Sequence, residues 1–317
     1  MTSLLTPDAR IYVAGHRGLE GSAVWRELEE RGHRNLIGWR SDELDLRRSD
    51  DVHDALATAK PDVVVVAAAR VGGILANSTQ PVDFLNDNLR IQTNLFEAAH
   101  ANDVDRLLFL GSSCIYPKLA PQPIPESALL TGPLEVTNQS YAIAKIAGIM
   151  AVQAYRTQFG RRWISAMPTN LYGPNDNFDL TTAHVLPALV RRLDEARREG
   201  APTVTVWGTG TPRREFLHTD DLARALYLLL TTYDEAEHIN VGTGEDITIR
   251  ELAMMIQSVV GYEGTIEWDT NRPDGTPRKQ LDITRLSELG WRPQVSLEAG
   301  LSRTFQWYSQ HREGAPR

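Results

Sequence analysis

Three glycines spaced three apart, Gly15, Gly18 and Gly21, stand directly behind the short apolar run Ile11-Tyr12-Val13-Ala14. A strand that ends in such a turn and passes at once into a helix belongs at the C-terminal edge of a parallel α/β sheet. Gly15 permits the tight turn. Gly18 lets a pyrophosphate approach backbone N–H groups at the helix N-terminus, and Gly21 allows the helix to pack closely on the strand. The rest of the first half follows suit: residues 10–14, 35–39, 63–67, 106–110 and 163–167 read as strands, with helices over 23–31, 86–101 and 140–159. Val63-Val64-Val65-Val66-Ala67 is apolar on both faces, as a central parallel strand covered by helices on each side requires. This order predicts class α/β with a Rossmann-type doubly wound parallel sheet.

Beyond residue 174 the pattern loosens. Residues 176–182 read as loop, 185–199 as helix, 203–207 as a strand entering the turn Gly208-Thr209-Gly210, 220–230 as helix and 238–241 as a returning strand. Helices at 249–260 and 297–310 flank a Pro/Gly-rich loop at 273–277. We therefore expect a nucleotide-binding unit, 8–173 plus 215–246, and a smaller discontinuous substrate-binding unit, 174–214 plus 247–317. A chain of 317 residues accommodates both at roughly 150 residues per domain.

Composition narrows the function. At 42% hydrophobic and 23% charged the chain has the balance of a folded protein rather than a disordered one. Its net charge of -8, from 33 Lys+Arg against 41 Asp+Glu, comes without a basic block and argues against a nucleic-acid partner. The single cysteine, Cys114, rules out an intrachain disulfide or a Cys-rich zinc site, so no metal is expected and a reducing compartment fits. The first residues lack a basic stretch followed by an apolar one, and the longest apolar run, 63–69, falls far short of the roughly 20 residues that span a bilayer. The expectation is a cytoplasmic protein without a membrane partner.

Two further patterns carry chemistry. An NAD site places an acidic residue about 20 positions after the glycines to accept the ribose 2′-OH. Here the second strand ends in Trp39-Arg40-Ser41, and Arg17 sits in the glycine loop; two guanidinium groups suit a 2′-phosphate and predict NADP(H). Asp42 and Glu43 count against this, and the alternative is two solvated arginines. Tyr141 and Lys145 are four apart on a predicted helix, hence on one face. The Lys145 ammonium is expected to lower the Tyr141 pKa, so that the phenol can protonate a ketone oxygen as hydride arrives. Ser112, at the end of the strand 106–110, lies at the sheet edge where α/β folds bind ligands.

The glycine loop, Ser112 and Tyr141-x-x-x-Lys145, in that order, resemble the extended short-chain dehydrogenase/reductases. Longer matches make the chain similar to one family among them, the GDP-4-keto-6-deoxy-D-mannose 3,5-epimerase/4-reductases, or GDP-L-fucose synthases. These matches are Gly15-His16-Arg17-Gly18, Ala67-Ala68-Ala69-Arg70-Val71-Gly72-Gly73-Ile74, Gly111-Ser112-Ser113-Cys114-Ile115-Tyr116-Pro117-Lys118 and Tyr141-Ala142-Ile143-Ala144-Lys145-Ile146-Ala147-Gly148. Pro168-Thr169-Asn170-Leu171-Tyr172-Gly173-Pro174, the run from Trp207 to His218, and Pro273-Asp274-Gly275-Thr276-Pro277-Arg278-Lys279 complete them. The resemblance implies inversion at C3 and C5 of a 4-keto sugar with Cys114 as base and His184 as acid. Ser112 and Tyr141 would hold the enolate oxygen, and NADPH would then reduce C4. It implies cofactor contacts from Gly15, His16, Arg17, Gly18, Leu19, Glu20, Gly21, Arg40, Leu110, Gly111, Ser112, Ser113, Lys145, Pro168, Thr169, Asn170, Leu171 and His184. It implies GDP-sugar contacts from Arg192, Trp207, Arg214, Asp274 and Lys279, and a homodimer built on the helices 86–101 and 140–159.

The chain departs from that family at Glu20, where an apolar residue is expected, at Ala183, where Ser is usual before His184, and at Val136, which replaces Pro. A sugar-nucleotide 4,6-dehydratase would carry Thr-Asp-Glu in place of Ser112-Ser113-Cys114, and a UDP-galactose-type 4-epimerase would need neither Cys114 nor His184. Another GDP-4-keto-6-deoxy sugar, such as a heptose, and a nonenzymatic NADPH sensor are the remaining alternatives.

Overall fold

The computed structural model describes residues 4–272 and 274–312; Pro273 of the 273–277 loop lies outside the described residues, as do 1–3 and 313–317. The first half runs β1 Ile11–Ala14, α1 Leu19–Glu30, β2 Leu36–Ile37, α2 Ser49–Ala59, β3 Val63–Val66, α3 Ile74–Thr79, α4 Pro81–Ala101, β4 Arg106–Leu110, α5 Gln139–Phe159 and β5 Arg162–Pro168. Next come β6 Asn170–Tyr172, α6 Val185–Glu199, β7 Thr203–Trp207, β8 Arg213–Arg214, β9 Phe216–His218, α7 Thr219–Thr232 and β10 Ile239–Val241. The chain closes with β11 Ile247–Thr248, α8 Ile249–Val260, β12 Thr265–Asp269, β13 Arg278–Lys279, α9 Thr284–Glu288 and α10 Leu297–His311.

Six parallel strands in the order β10-β5-β4-β3-β1-β2 form the central sheet. From β1 the chain moves outward to β2 and then crosses back to β3, so the strand order reverses beside the glycine turn, where open α/β sheets bind ligands. Side-chain alternation along each strand builds two cores at once. Ile11, Val13, Val63, Val65, Leu108 and Leu110 face α1 and α7, while Tyr12, Ala14, Val64, Val66, Leu107 and Phe109 face α2, α4 and α5. A third core lies among α6, α8 and α10 and the parallel pair β7–β12. Two short ladders, β6–β9 and β11-β8-β13, complete the sheets.

Several elements differ from expectation, among them α4, which begins at Pro81 rather than 86, and the short helices α3 and α9, which were not foreseen. The first helix begins at Leu19 rather than 23, because Gly15, at φ +85°, launches it from within the glycine segment, where no apolar period shows. The second strand pairs over Leu36–Ile37 alone, and Trp39 beyond it packs edge-on against Tyr12 with ring centroids 4.8 Å apart. Helix α2 was not expected, since only Val52 and Leu56 of its residues are buried. Among the described residues no helix is long and apolar enough to cross a membrane.

Helix α5 approaches β4 closely because Gly148 has no side chain: a Cβ there would collide with the Phe109 ring. Gly148→Ala is therefore expected to destabilise the fold by about 1–3 kcal/mol, the usual cost of overpacking. A thermal melt followed by circular dichroism should show a fall of several degrees; an unchanged melt would mean that α5 can shift at no cost.

Candidate active site

The candidate site gathers at the C-terminal edge of the sheet. Gly111 follows β4 under the Met167 thioether, with no room for a Cβ. Ser112 then caps a short 3-10 turn, Ser113–Ile115, and its Oγ accepts from the Cys114 N–H at 3.3 Å. This puts the Cys114 thiol at the mouth of the sheet rather than in a core.

Helix α5 brings Tyr141 and Lys145 to the same edge. The Lys145 ammonium is buried, donates to the Leu110 carbonyl at 2.7 Å and lies 4.9 Å from the Phe109 ring centroid. Burial pushes it down to about 8, with Glu20 opposing that shift. Tyr141 corrects the sequence expectation. Burial, reinforced by the charges of Cys114 and Glu20, holds the phenol well above its ordinary value, and only a hydrogen bond with Ser112 works the other way. Lys145 is committed to the Leu110 carbonyl, with Nζ 5.9 Å from the Tyr141 ring centroid. Tyr141 is thus a protonated phenol, ready to donate.

Cys114 meets the β11-β8-β13 ladder through Lys279, whose Nζ lies 3.4 Å from Sγ. Burial alone would raise the thiol; the Lys279 ammonium, hydrogen bonds from Ser112 and Lys279, and the Arg214 charge together hold it below its ordinary value. His184 occupies the N-cap position of α6 without capping it, which leaves its imidazole open to the cleft. Crowding by the cleft walls, then Lys279, lowers its pKa. Ala183, the departure before it, sits in a loop bound by Asp179, which accepts from Thr181 and Thr182, and pinned to Gly73, whose N–H donates to the Thr182 carbonyl at 2.8 Å.

The glycine loop has the shape of a dinucleotide cradle. A Cβ at Gly21 would strike the Gly15 carbonyl, one at Gly15 would meet the Ala68 N at 2.8 Å, and Gly18 opens α1 without a side-chain cap. His16 tucks beneath, its ring 5.3 Å from that of Trp25. Arg17 is exposed and makes no ion pair among the described residues, whereas Arg40 is held bidentate by Asp42, both contacts at 2.9 Å, with Glu43 at 3.4 Å. Across the edge, the Asn170 side chain and Thr169 hydroxyl donate to the Glu215 carbonyl, and the Thr169 N–H donates to that of Val241. Leu110, Ser113 and the Pro168–Leu171 segment line the same rim, at the ends of β4 and β5.

The residues expected to face the GDP-sugar fall into two groups. Arg214 and Lys279 stand opposite one another in the β8–β13 ladder beside Cys114. Trp207, at the end of β7, is exposed with the Arg272 guanidinium 4.8 Å from its ring. Asp274 closes the turn after Trp207 by accepting from the Thr209 N–H at 3.0 Å and hydroxyl at 2.7 Å. Arg192 lies on α6 and makes no ion pair among the described residues. No group of three His, Cys, Asp or Glu side chains among the described residues has the geometry of a metal site.

Two carboxyls add to this site: Glu20, expected among the cofactor contacts, and Asp176, which was not anticipated. Glu20 is partly buried beside Lys145, and burial pushes it up to about 7 against the pull of that ammonium. Asp176 is buried; one carboxylate oxygen accepts from the Asn177 N–H at 2.7 Å and the other has no partner. Burial, with Glu20 adding to it, pushes Asp176 up to about 8. Nothing in Asn175-Asp176-Asn177 marks it, since the sequence reads as an ordinary polar turn.

Residues 11–242 match the NAD dependent epimerase/dehydratase family. The chain belongs to that family. It is 58% identical over 308 residues to GDP-L-fucose synthase 1 of Arabidopsis thaliana, covering 97% of this chain and 95% of the relative. It is 55% identical over 313 residues to GDP-L-fucose synthase of Escherichia coli K12, covering 96% and 98%. A solved GDP-L-fucose synthetase from Naegleria fowleri bound to NADP superposes with a TM-score of 0.92 at 29% identity, covering 99% of this chain and 96% of that one.

The raised Asp176 pKa has a direct consequence. An acid whose folded pKa exceeds its unfolded value of about 3.8 stabilises the protein only while protonated, so that contribution is lost as pH climbs from there through about 8. Asp176→Asn keeps the shape and discards the charge. Its melting temperature should match the parent near pH 4 and exceed it by a few degrees near pH 9; equal melts at both would remove Asp176 from the buried carboxyls.

Proposed function

We propose that this enzyme converts GDP-4-keto-6-deoxy-D-mannose to GDP-L-fucose, inverting C3 and C5 and then reducing C4 with NADPH. The observation that carries the reading is the thiol: Cys114 stands two residues from Ser112, beside Lys279, on the edge that also holds Tyr141 and Lys145. A simple ketone reductase has no use for an acidified thiol there. A 3,5-epimerase needs a base for the C–H bonds that the C4 carbonyl acidifies. Identity above 50% to GDP-L-fucose synthases favours the fucose substrate over a heptose.

In this reading Cys114 takes the proton from carbon, and His184, across the cleft, returns one on the opposite face. Ser112 and Tyr141 hold the oxygen on which the enolate charge collects. Tyr141, kept protonated by its surroundings, gives its proton to the C4 oxygen at the reduction. When bound, NADPH supplies the hydride. The α1 N-terminus and the loop Gly15–Gly21, with Leu19 and Glu20 in its wall, would hold its pyrophosphate. Arg17 and Arg40 would hold its 2′-phosphate, Arg40 exchanging Asp42 for it. Leu110, Gly111, Ser112, Ser113, Lys145, Pro168, Thr169, Asn170, Leu171 and His184 would line the remainder. Epimerisation precedes reduction, because reduction removes the ketone that acidifies C3 and C5.

Residues 8–173 with 215–246 would bind the dinucleotide, and 174–214 with 247–317 the sugar nucleotide, through Arg192, Trp207, Arg214 and Asp274. We also place the enzyme in the cytoplasm, where its one thiol stays reduced, and as a homodimer across α4 and α5, a reading supported by exposed Val82, Ile143 and Met150 on those helices.

Assays of the parent and of two variants test the assignment. NADPH oxidation should require GDP-4-keto-6-deoxy-D-mannose, and chromatography should identify the product as GDP-L-fucose; no oxidation, or a different sugar, overturns the reading. Cys114→Ala should abolish deuterium incorporation at C3 and C5 while NADPH binding survives. Tyr141→Phe should cut reduction roughly 10²–10⁴-fold, the usual worth of a positioned proton donor.

A further inference from the structure

The substrate-side layer reaches Cys114 by a defined route. β13 runs parallel to β8 with Lys279 opposite Arg214, so two cations arrive as a registered pair. Glu215, next along from Arg214, is fully buried and fastens this ladder from behind. Its carboxylate accepts from the Leu281 N–H at 2.9 Å and the Gly244 N–H at 2.7 Å, and its own N–H donates to the Lys279 carbonyl at 3.3 Å. Arg214 is turned back on the ladder, donating to the Thr276 carbonyl at 2.5 Å and the Arg213 carbonyl at 2.8 Å. Lys279 forms no ion pair with a carboxylate among the described residues; its ammonium is directed at the thiol, 3.4 Å away.

We propose that Lys279 is a positioning residue that holds Cys114 as a thiolate, rather than a ligand of the substrate diphosphate. The inference rests on the functional reading above only for what the thiolate attacks. In that step the Cys114 Sγ lone pair forms an S–H bond as the substrate C–H bond breaks. The C–H electron pair passes into the adjacent carbonyl to give an enolate, and Cys114 is left as a neutral thiol. The charge on Lys279 is then no longer matched at sulfur, so it favours return of the thiolate in the next cycle. The other groups facing this thiol are the Arg214 guanidinium from β8, the protonated Tyr141 phenol from α5 and the Ser112 hydroxyl, while His184 shares the field of Lys279. Of these, Lys279 alone combines full charge with direct contact.

The chain's only cysteine makes the test clean, because alkylation of the full-length protein reports on Cys114 alone. Iodoacetamide labelling rates, read by intact mass across a pH series, should give a thiol titration below the ordinary value in the parent. Lys279→Met should move that titration up by about one pH unit or more, the usual effect of removing an adjacent opposite charge, and slow labelling near neutral pH roughly tenfold. Lys279→Arg should restore most of the parent profile, and Lys279→Gln provides a second neutral variant should Met disturb the fold. GDP affinity, measured by calorimetry, should stay within about twofold in the neutral variants. An unchanged labelling profile in both neutral variants overturns the proposal, as does a large loss of GDP affinity with the profile intact. Labelling needs no substrate, so a failed turnover assay would sink the functional reading and leave this one standing.

Discussion

A buried ammonium ties helix α5 to the sheet. Taking Lys145 out of water costs several kcal/mol before any compensation. A charge-assisted bond to the Leu110 carbonyl offsets about 1.5–3 kcal/mol of that, and the Phe109 ring face adds a smaller amount. The arrangement needs a strand that ends at Leu110 and a helix that comes close enough, which the missing Cβ at Gly148 allows. Once that distance is set, Tyr141, one turn earlier, and Ser112, two residues beyond the strand, are brought to the same rim. The residue that the sequence pattern casts as an acidifier of the phenol is, in the folded protein, a brace between two elements.

The charges around the rim divide by sign. On the glycine-loop side are two carboxyls with raised pKa, Glu20 and Asp176, and on the opposite side two cations, Arg214 and Lys279. Lys145 and Tyr141 feel Glu20, Tyr141 feels Cys114 as well, and the Cys114 thiol lies in the field of the two cations. Burial first, then those negative charges, keeps the phenol protonated, while the cations acidify the thiol within the same cleft. Two proton-handling groups with opposite tasks need such separated surroundings.

Much of this was legible from residues alone. The alternation that fills two cores from one strand, the glycine turn and the order of Ser112, Tyr141 and Lys145 are local patterns, and local patterns survive in a linear sequence. Helix α2 was not legible, because two buried residues in a polar stretch give no stripe. Nor was the Glu20–Asp176 region, which depends on a loop after β6 folding back over α1, where Asn175 donates to Ser22 at 3.1 Å. The contact between Lys279 and Cys114 spans 165 positions and depends on the register of a two-residue ladder, which no periodicity encodes. Glu215 was equally silent, since a buried carboxylate that serves backbone N–H groups looks like any surface glutamate until it is folded.

The weaving of the chain between its packed layers bears on how the molecule comes apart. After β6 it enters the small layer with α6, returns to the large one with β9, α7 and β10, and leaves again for α8 and β12. It then sends Leu286 and Trp291 back against the sheet before α10 closes the small core. Neither layer owns a continuous stretch of sequence that could melt while the other stays intact. Heat should therefore see a single cooperative unit, with one calorimetric endotherm where two lobes joined by a simple tether would give two.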